Sequence, residues 1–383
     1  MTDTPHHGLQ IVPVDGEPLL SRFIRLPARL HRDAGDRQWI TPLEMERREA
    51  FSPKKNPLFQ TTEVQFWLAR RDGRDVGRIS AQIDRSAAPG NETTGHFGLI
   101  AAENDPAVFA ALFATAEAWL RARGMTRVLG PFSLSINEET GLLVQGFDTP
   151  PMLLMGHDLP HVGPRIEALG YGKAKDVYAY LNNMMVPLPK TLEGMLRRPL
   201  PANYRLRHLS FQQYRKDIED LTAIFNEAWC DNWHFSPLTP ADTDHLAKAM
   251  KPILDEKLVW FVDVDGEPAA FGVTLPNINE ALPGLDGKLL PFGWAKLLWR
   301  LKVRGVKTCR VPLMGVRRKY AGGFGNARIP FLIINAMRQE ALKKGFERVE
   351  LSWILEDNLP MRRMCEQLGA ESYKTYRLYG KDL

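Results

Sequence analysis

The segment Lys344-Gly345-Phe346-Glu347-Arg348-Val349-Glu350-Leu351-Ser352-Trp353-Ile354-Leu355-Glu356-Asp357-Asn358 reads as a helix end, a turn, a strand and a polar corner. Arg123-Gly124-Met125-Thr126-Arg127-Val128-Leu129-Gly130-Pro131-Phe132-Ser133-Leu134-Ser135-Ile136-Asn137 reads the same way, with Gly, Arg, Val, Leu and Asn in register. Internal repetition decides architecture before composition does. It predicts two copies of one α/β unit, and it directs the search for function to the places where the copies differ.

Further anchors recur in the same order. Trp39-Ile40-Thr41-Pro42-Leu43 resembles Trp233-His234-Phe235-Ser236-Pro237-Leu238. Phe66-Trp67 precedes Asp72-Gly73 as Val259-Trp260 precedes Asp265-Gly266, and Asp-Gly between apolar runs signals a hairpin. Leu169-Gly170, Lys175 and Tyr180 recur as Leu368-Gly369, Lys374 and Tyr379. Between the copies, prolines crowd the stretch from Val186 to Pro201, which predicts an extended linker over 187–203. The expected domains are therefore 1–186 and 204–383. In the second, the patterns predict helices over 217–229, 330–344 and 360–367. They predict strands over 258–264, 269–275, 309–316, 350–354 and 373–379.

A chain of 383 residues suits two domains. Its net charge of +5 admits an anionic ligand or surface without selecting one. The basic residues are dispersed and no helix-turn-helix or zinc pattern appears, so nucleic acid is not an expected partner. Cys230, Cys309 and Cys365 lie far apart without ligand spacing, which predicts no metal and fits a reducing compartment. The polar start predicts no signal peptide, and no run reaches membrane-spanning length, so a cytoplasmic location is expected.

The first chemically suggestive stretch follows the strand over 309–316. Arg317-Arg318-Lys319-Tyr320-Ala321-Gly322-Gly323-Phe324-Gly325-Asn326-Ala327-Arg328 opens a helix. Glycines let backbone approach a ligand, and a helix start offers unpaired N–H groups to an anion. Val316, Arg317, Arg318, Gly323, Gly325 and Asn326 are the candidate phosphate contacts; a flexible basic loop is the competing reading. No Gly-Lys-Ser/Thr follows, so this is not a nucleoside-triphosphate P-loop.

Strand, Gly-rich turn, helix, Gly-Phe, strand, Glu-Asp-Asn, short helix and Leu-Gly-Ala together resemble the core of the GNAT superfamily of acyl-CoA N-acyltransferases. The resemblance covers about 180 residues strongly and the first copy weakly. It implies an α/β (α+β) fold of two tandem GNAT-like domains, each a mixed, largely antiparallel sheet flanked by helices. It implies acyl-CoA as cosubstrate, an amine acceptor and no permanently bound cofactor. The wider pattern, including Gly130-Pro131, Gly146-Phe147-Asp148-Thr149-Pro150-Pro151 and Trp353 to Asn358, is similar to a bacterial two-domain family that includes bacterial ceramide synthases. That similarity implies a long acyl chain and a lipid amine such as a sphingoid base. The chain departs from the superfamily pattern at Tyr320, where Gln or Arg is usual, and at Cys365, where Tyr is usual.

Acyl transfer to an amine needs a base for the amine, donors for the oxyanion and a proton for the thiolate. Asn358 and Cys365 occupy the motif positions, Cys365 as candidate acid. Glu356, at the strand's open corner, is preferred as base over Glu350, Glu227 and His234. His234 is also a candidate for an acceptor pocket within 226–235, and each of these has a plain packing or capping reading beside it. Residues 289–304 mix Leu, Phe and Trp with Lys and Arg and contain no acid, which suits a membrane-interface helix or a packed helix with a basic rim. The first copy has Glu103-Asn104-Asp105-Pro106 at the junction equivalent to the Gly-rich turn, a good helix start and a poor anion site. The missing motif residues also keep open a catalytically silent binding protein.

Overall fold

The computed structural model describes residues 8–87, 90–251, 254–322 and 326–383. The candidate contacts Gly323 and Gly325 lie outside the described residues. The chain divides into two compact units.

The first unit opens with β1 (Leu9–Pro13), α1 (Gly16–Asp33) and α2 (Glu44–Ala50). The hairpin β2 (Thr62–Arg71) and β3 (Arg74–Asp84) follows, then β4 (Thr94–Ala102), α3 (Pro106–Arg121), β5 (Arg127–Gly130), β6 (Leu142–Gln145) and α4 (Val162–Glu167). β7 (Gly172–Asn183) begins here and ends in the second unit. The β2–β3 turn is Asp72-Gly73 with φ of +50° and +79°, the doubly positive geometry of a tight hairpin turn. A Cβ on Gly77 of β3 would meet Leu112 Cδ1 at 2.8 Å and Val108 Cγ1 at 2.9 Å. Its absence lets α3 lie close on the sheet.

The second unit repeats this plan. It contains α5 (Lys190–Leu196), β8 (Tyr204–His208), α6 (Tyr214–Trp229), α7 (Pro240–Met250), and the hairpin β9 (Val259–Val264) and β10 (Glu267–Pro276). Then come α8 (Gly293–Trp299), β11 (Thr308–Val316), α9 (Ile329–Lys343), β12 (Arg348–Leu355) and α10 (Leu359–Gln367). The hairpin turn, Asp265-Gly266, has φ of +53° and +80°. Gly272 of β10 has the role of Gly77: a Cβ there would meet Ile333 Cγ2 at 2.5 Å and the Met337 sulfur at 2.9 Å, both on α9. Ile333 and Met337 are buried with Val262, Val264 and Ala270, each such side chain contributing about 1.5–3 kcal/mol of burial. The strand order is β7-β12-β11-β10-β9-β8, with β11 parallel to β12 and the β10–β11, β9–β10 and β8–β9 pairs antiparallel.

Two stretches differ from expectation. Residues 187–203 are not wholly extended, because α5 forms between the two proline clusters. Pro189 stands at its N-cap, and Leu188 and Leu192 pack with Phe331, Ile334 and Leu368. The final strand, β13 (Glu371–Asp382), leaves the second unit at Lys374. Its end pairs antiparallel with β5 and β6 and completes the first unit's sheet in the order β1-β2-β3-β4-β5-β13. Lys374 is buried there, and its ammonium donates to the carbonyls of Gly146 (2.8 Å) and Thr149 (2.7 Å). The first compact unit comprises Met1–Val177, Leu282–Gly293 and Lys374–Leu383, and the second comprises Tyr178–Ala281 and Trp294–Tyr373.

Candidate active site

β11 and β12 pair in parallel only from Thr308–Arg348 to Val311–Leu351. The next residue of β11 is Pro312, which has no N–H to give to a ladder. It falls in the irregular stretch of the β10–β11 register, between the pairs Val273–Leu313 and Leu275–Arg310. Beyond it β11 follows β10 and its ladder with β12 ends, so the two strands separate. The wedge between them is a cleft of about 400 Å³. One wall holds Pro312, Met314 and Val316, and the other holds Ser352, Trp353 and Leu355.

Separated strands expose polar backbone groups that must be satisfied. On the β11 side, Trp229 Nε1 donates to the Met314 carbonyl (3.1 Å). On the β12 side, Arg310 Nη2 donates to the Ser352 carbonyl (3.1 Å) and Nε to its hydroxyl (2.8 Å). Ser352 in turn donates to Glu350, which is fully buried and also receives the Tyr373 hydroxyl. Arg310 lies 3.5 Å from the same carboxylate. Of these four residues, Glu350 alone is a candidate from sequence; Arg310, Ser352 and Tyr373 are not. The available signal was polar residues at alternate positions, 350 and 352, of a strand otherwise patterned for burial.

The cleft brings together four of the sequence-predicted residues: Val316, Asn326, Asn358 and Cys365. Asn358 caps α10, its side chain accepting from Met361 N (3.2 Å). Cys365 is buried against Tyr180, Ile354 and Ala370, and burial pushes its thiol up to about 12, so it is a neutral thiol. Asn326 accepts from the Tyr204 hydroxyl (2.6 Å) and donates to the Gly322 carbonyl (3.1 Å). The start of α9 opens on the cleft beside Asn326, Ala327 and Pro330, and among the described residues no side chain caps it. In the first unit the matching start of α3 is capped by Asp105, which accepts from Ala107 N (2.8 Å). The positive end of α3 is thus met by a carboxylate, whereas no carboxylate among the described residues caps α9.

The remaining candidates stand apart from the lining. Arg317 binds Glu227 (2.8 Å) and the Pro268 carbonyl (2.8 Å). Arg318 takes Glu227 through its own N–H (2.9 Å) and pairs with Asp231 through its guanidinium. Glu227 is thus a clamp on the basic turn, and both arginines already hold carboxylates. Glu356 offers its backbone carbonyl to Arg362 (2.8 Å) and is not among the lining residues. His234 has φ of +50° and lies beside Trp233, its ring centroid 4.3 Å away, also outside the lining. Among the described lining residues, Tyr320 and Cys365 are the titratable ones.

No family model matches the chain. Among curated proteins, it is 53% identical to the bacterial ceramide synthase of Caulobacter vibrioides over 383 residues, covering 100% of this chain and 99% of the relative. It is 44% identical to protein YghO of Escherichia coli, covering 95% and 93%. Among solved structures, a tandem GNAT protein from the clavulanic acid biosynthesis pathway matches with a TM-score of 0.58 at 15% identity, covering 98% of each chain. A GCN5-related N-acetyltransferase from Sphaerobacter thermophilus matches at 0.52 and 12% identity, covering 97% and 95%. The structural likenesses are of fold, which is that of tandem GNAT proteins. With more than half its residues identical over its whole length, the chain belongs to the family of the Caulobacter vibrioides bacterial ceramide synthase.

Proposed function

We propose that this chain is an acyl-CoA-dependent N-acyltransferase that acylates a lipid amine of the sphingoid-base class at a membrane surface. The wedge between β11 and β12 carries the reading. An extended ligand bearing amides can lie there as an added strand, with its phosphates toward the start of α9. The Caulobacter vibrioides relative, named bacterial ceramide synthase, supports the choice of acceptor.

In the reaction the neutral amine nitrogen attacks the thioester carbonyl, the C–S bond breaks, and the amide forms as the thiolate leaves. The attacking amine gives up a proton and the thiolate gains one. Cys365, a neutral thiol at the cleft wall, is the candidate proton donor for the thiolate, and because burial holds its own thiol at about 12 it acts only as a relay, recovering the proton that the amine releases. Asn358 fixes the start of α10 and so holds Cys365 in place. Glu356 and His234 receive no role because neither lines the cleft.

The membrane part of the reading draws on α8 and the helical turn after it, Arg300–Arg304. Leu297 and Leu301 pack inward toward Val306, Cys309 and Phe346. Trp294, Leu298, Trp299 and Val303 face outward, 50–70% exposed, among Lys296, Lys302 and Arg304. Large exposed apolar side chains set among cations suit an anionic lipid interface. No helix among the described residues is long and apolar enough to cross a membrane.

The test incubates the purified chain with palmitoyl-CoA and sphinganine and measures free CoA and N-acyl product by mass spectrometry. Product without added metal or cofactor supports the reading. A silent binding protein is the second reading, favoured by a lining without carboxylate or histidine among its described residues. It predicts thermal stabilisation by CoA and no product.

A further inference from the structure

The first unit contains a second polar cavity, unrelated to the start of α3. An outer cleft of about 370 Å³ and an inner pocket of about 70 Å³ share Pro27, Trp39, Arg78, Leu99 and Glu139 in their walls. The outer walls include the apolar Ile24, Pro27, Phe51 and Leu99, with Arg25, Arg29, Arg32 and Lys288 beside Glu44 and Asp286. The inner end holds Ser133, His157 and Asp158.

This cavity gathers polar atoms that lack a partner among the described residues. Trp39 Nε1, Arg78 Nε and His157 Nδ1 are buried and make no hydrogen bond among the described residues, while Arg78 Nη1 donates to the Phe23 carbonyl (2.8 Å). His157 is only 5% exposed. Its Nε2 lies 2.9 Å from Asp36 Oδ2, which also lies 2.8 Å from His31 Nδ1. With both imidazoles donating to Asp36, the Nδ1 atom of His157 is a bare lone pair. Asp158 accepts one bond, from Leu143 N (2.9 Å), and forms no ion pair among the described residues. Glu139, by contrast, is paired with Arg47. Buried polar groups in native proteins find partners, so such a cluster points to a ligand or to water in its place.

His31, Asp36 and His157 offer three atoms close enough together for a metal ion. Their geometry favours hydrogen bonding instead. The two nitrogens face one carboxylate oxygen at hydrogen-bond length, and an ion on His157 Nε2 would leave a buried Nδ1–H with no acceptor.

The unmet groups state what the ligand must carry. Asp158 needs a cationic donor, the His157 lone pair needs a donor, and the Trp39 and Arg78 N–H groups need acceptors. An ammonium flanked by hydroxyls supplies all three, and the outer walls accommodate an aliphatic chain. We infer that this cavity binds the head of a long-chain amino alcohol, with its ammonium on Asp158 and its hydroxyls among His157, Ser133 and Arg78. The inference rests on the lipid-amine reading above for the ligand's role, while binding is measurable with no acyl donor present.

The test is calorimetric titration of the full chain with an eight-carbon 2-amino-1,3-diol, below its micelle concentration. Parallel titrations use its N-acetyl derivative and Zn²⁺. Saturable one-site binding of the amine is expected. The N-acetyl form, lacking the charge, should bind about tenfold or more weakly. Asp158→Asn should lose about the same factor, and Ser133→Ala less, with both variants melting as folded proteins and keeping the parent's stabilisation by CoA. Equal binding of the amine and its N-acetyl form overturns the inference, as does undiminished binding by the Asp158 variant. Zn²⁺ binding that displaces the amine, or no saturable amine binding while CoA still stabilises the chain, overturns this assignment and leaves the acyl-CoA reading standing.

Discussion

Arg310 donates to both the hydroxyl and the carbonyl oxygen of Ser352, at 2.8 and 3.1 Å, where β12 parts from β11. One side chain thus replaces a ladder bond that the separated strand has lost. The same guanidinium faces buried Glu350, so the opening of the cleft and a buried charge network share one support.

Removing that support should be costly. Arg310→Met leaves Glu350 buried without its cation, a change worth about 3–5 kcal/mol. Chemical denaturation should show a fall of that order. Arg310→Met combined with Glu350→Gln should recover part of the loss, because it removes both charges together. A double variant no more stable than the single would show that the charge pairing is not what holds the strands.

The three cysteines should separate by reactivity. Burial pushes Cys309 and Cys365 up to about 12, while Cys230 is exposed. Thiolate is the reactive form. Iodoacetamide at pH 8 should therefore modify Cys230 alone in the native chain, as read by peptide mass spectrometry, and all three after unfolding. Saturating CoA should leave this pattern unchanged. Under the proposed mechanism, Cys365→Ala should lower kcat by about tenfold or more with little change in KM, whereas Cys365→Ser retains more activity. Equal kcat in Cys365→Ala and the parent would remove the thiol from the reaction.

Stability should depend on pH through the first unit. Burial raises Asp158 from 3.8 to about 7, with Glu139 adding to the rise and Arg78 opposing it. Burial raises Glu138 from 4.5 to about 7, with Glu139 and Glu46 adding and Arg47 opposing. A folded-state value above the unfolded one favours the folded chain fully at low pH and progressively less as pH rises toward 7. Melting temperature should therefore carry a falling component between about pH 4 and pH 7 from these two groups. Asp158→Asn should flatten it relative to the parent; identical profiles would mean that Asp158 is already ionised in the folded chain.

Local chemistry was the legible part of this fold. The two Asp-Gly turns, the helix start at Asp105-Pro106 and the helix after the strand over 309–316 all announce themselves within a few residues. Partner choice was less legible. Nothing in Tyr379-Gly380-Lys381-Asp382 declares that it pairs with Arg127–Gly130 rather than within its own repeat, because alternation sets a strand's faces and not its neighbour. The Arg310–Ser352 contact depends in the same way on a register that exists only after folding. The proline clusters at 187–201 hid α5, since helix-breaking residues outside a helix look much like those of a linker.

Membrane attachment is tested most directly on the outward face of α8. Trp294 and Trp299 are each more than half exposed, and Leu290 and Phe292, just before the helix in sequence, are 80% and 77% exposed. Leu297 and Leu301 already hold the segment to its own unit, so the tryptophans can be removed without opening the core. Trp294→Ala with Trp299→Ala should leave melting temperature nearly unchanged and weaken sedimentation with vesicles containing anionic phosphatidylglycerol by about tenfold or more. Raising salt should weaken the parent too, because Lys296, Lys302 and Arg304 supply a screened attraction. If the double variant instead loses melting temperature and keeps vesicle binding, the tryptophans belong to packing and the lipid surface must be sought elsewhere on the chain.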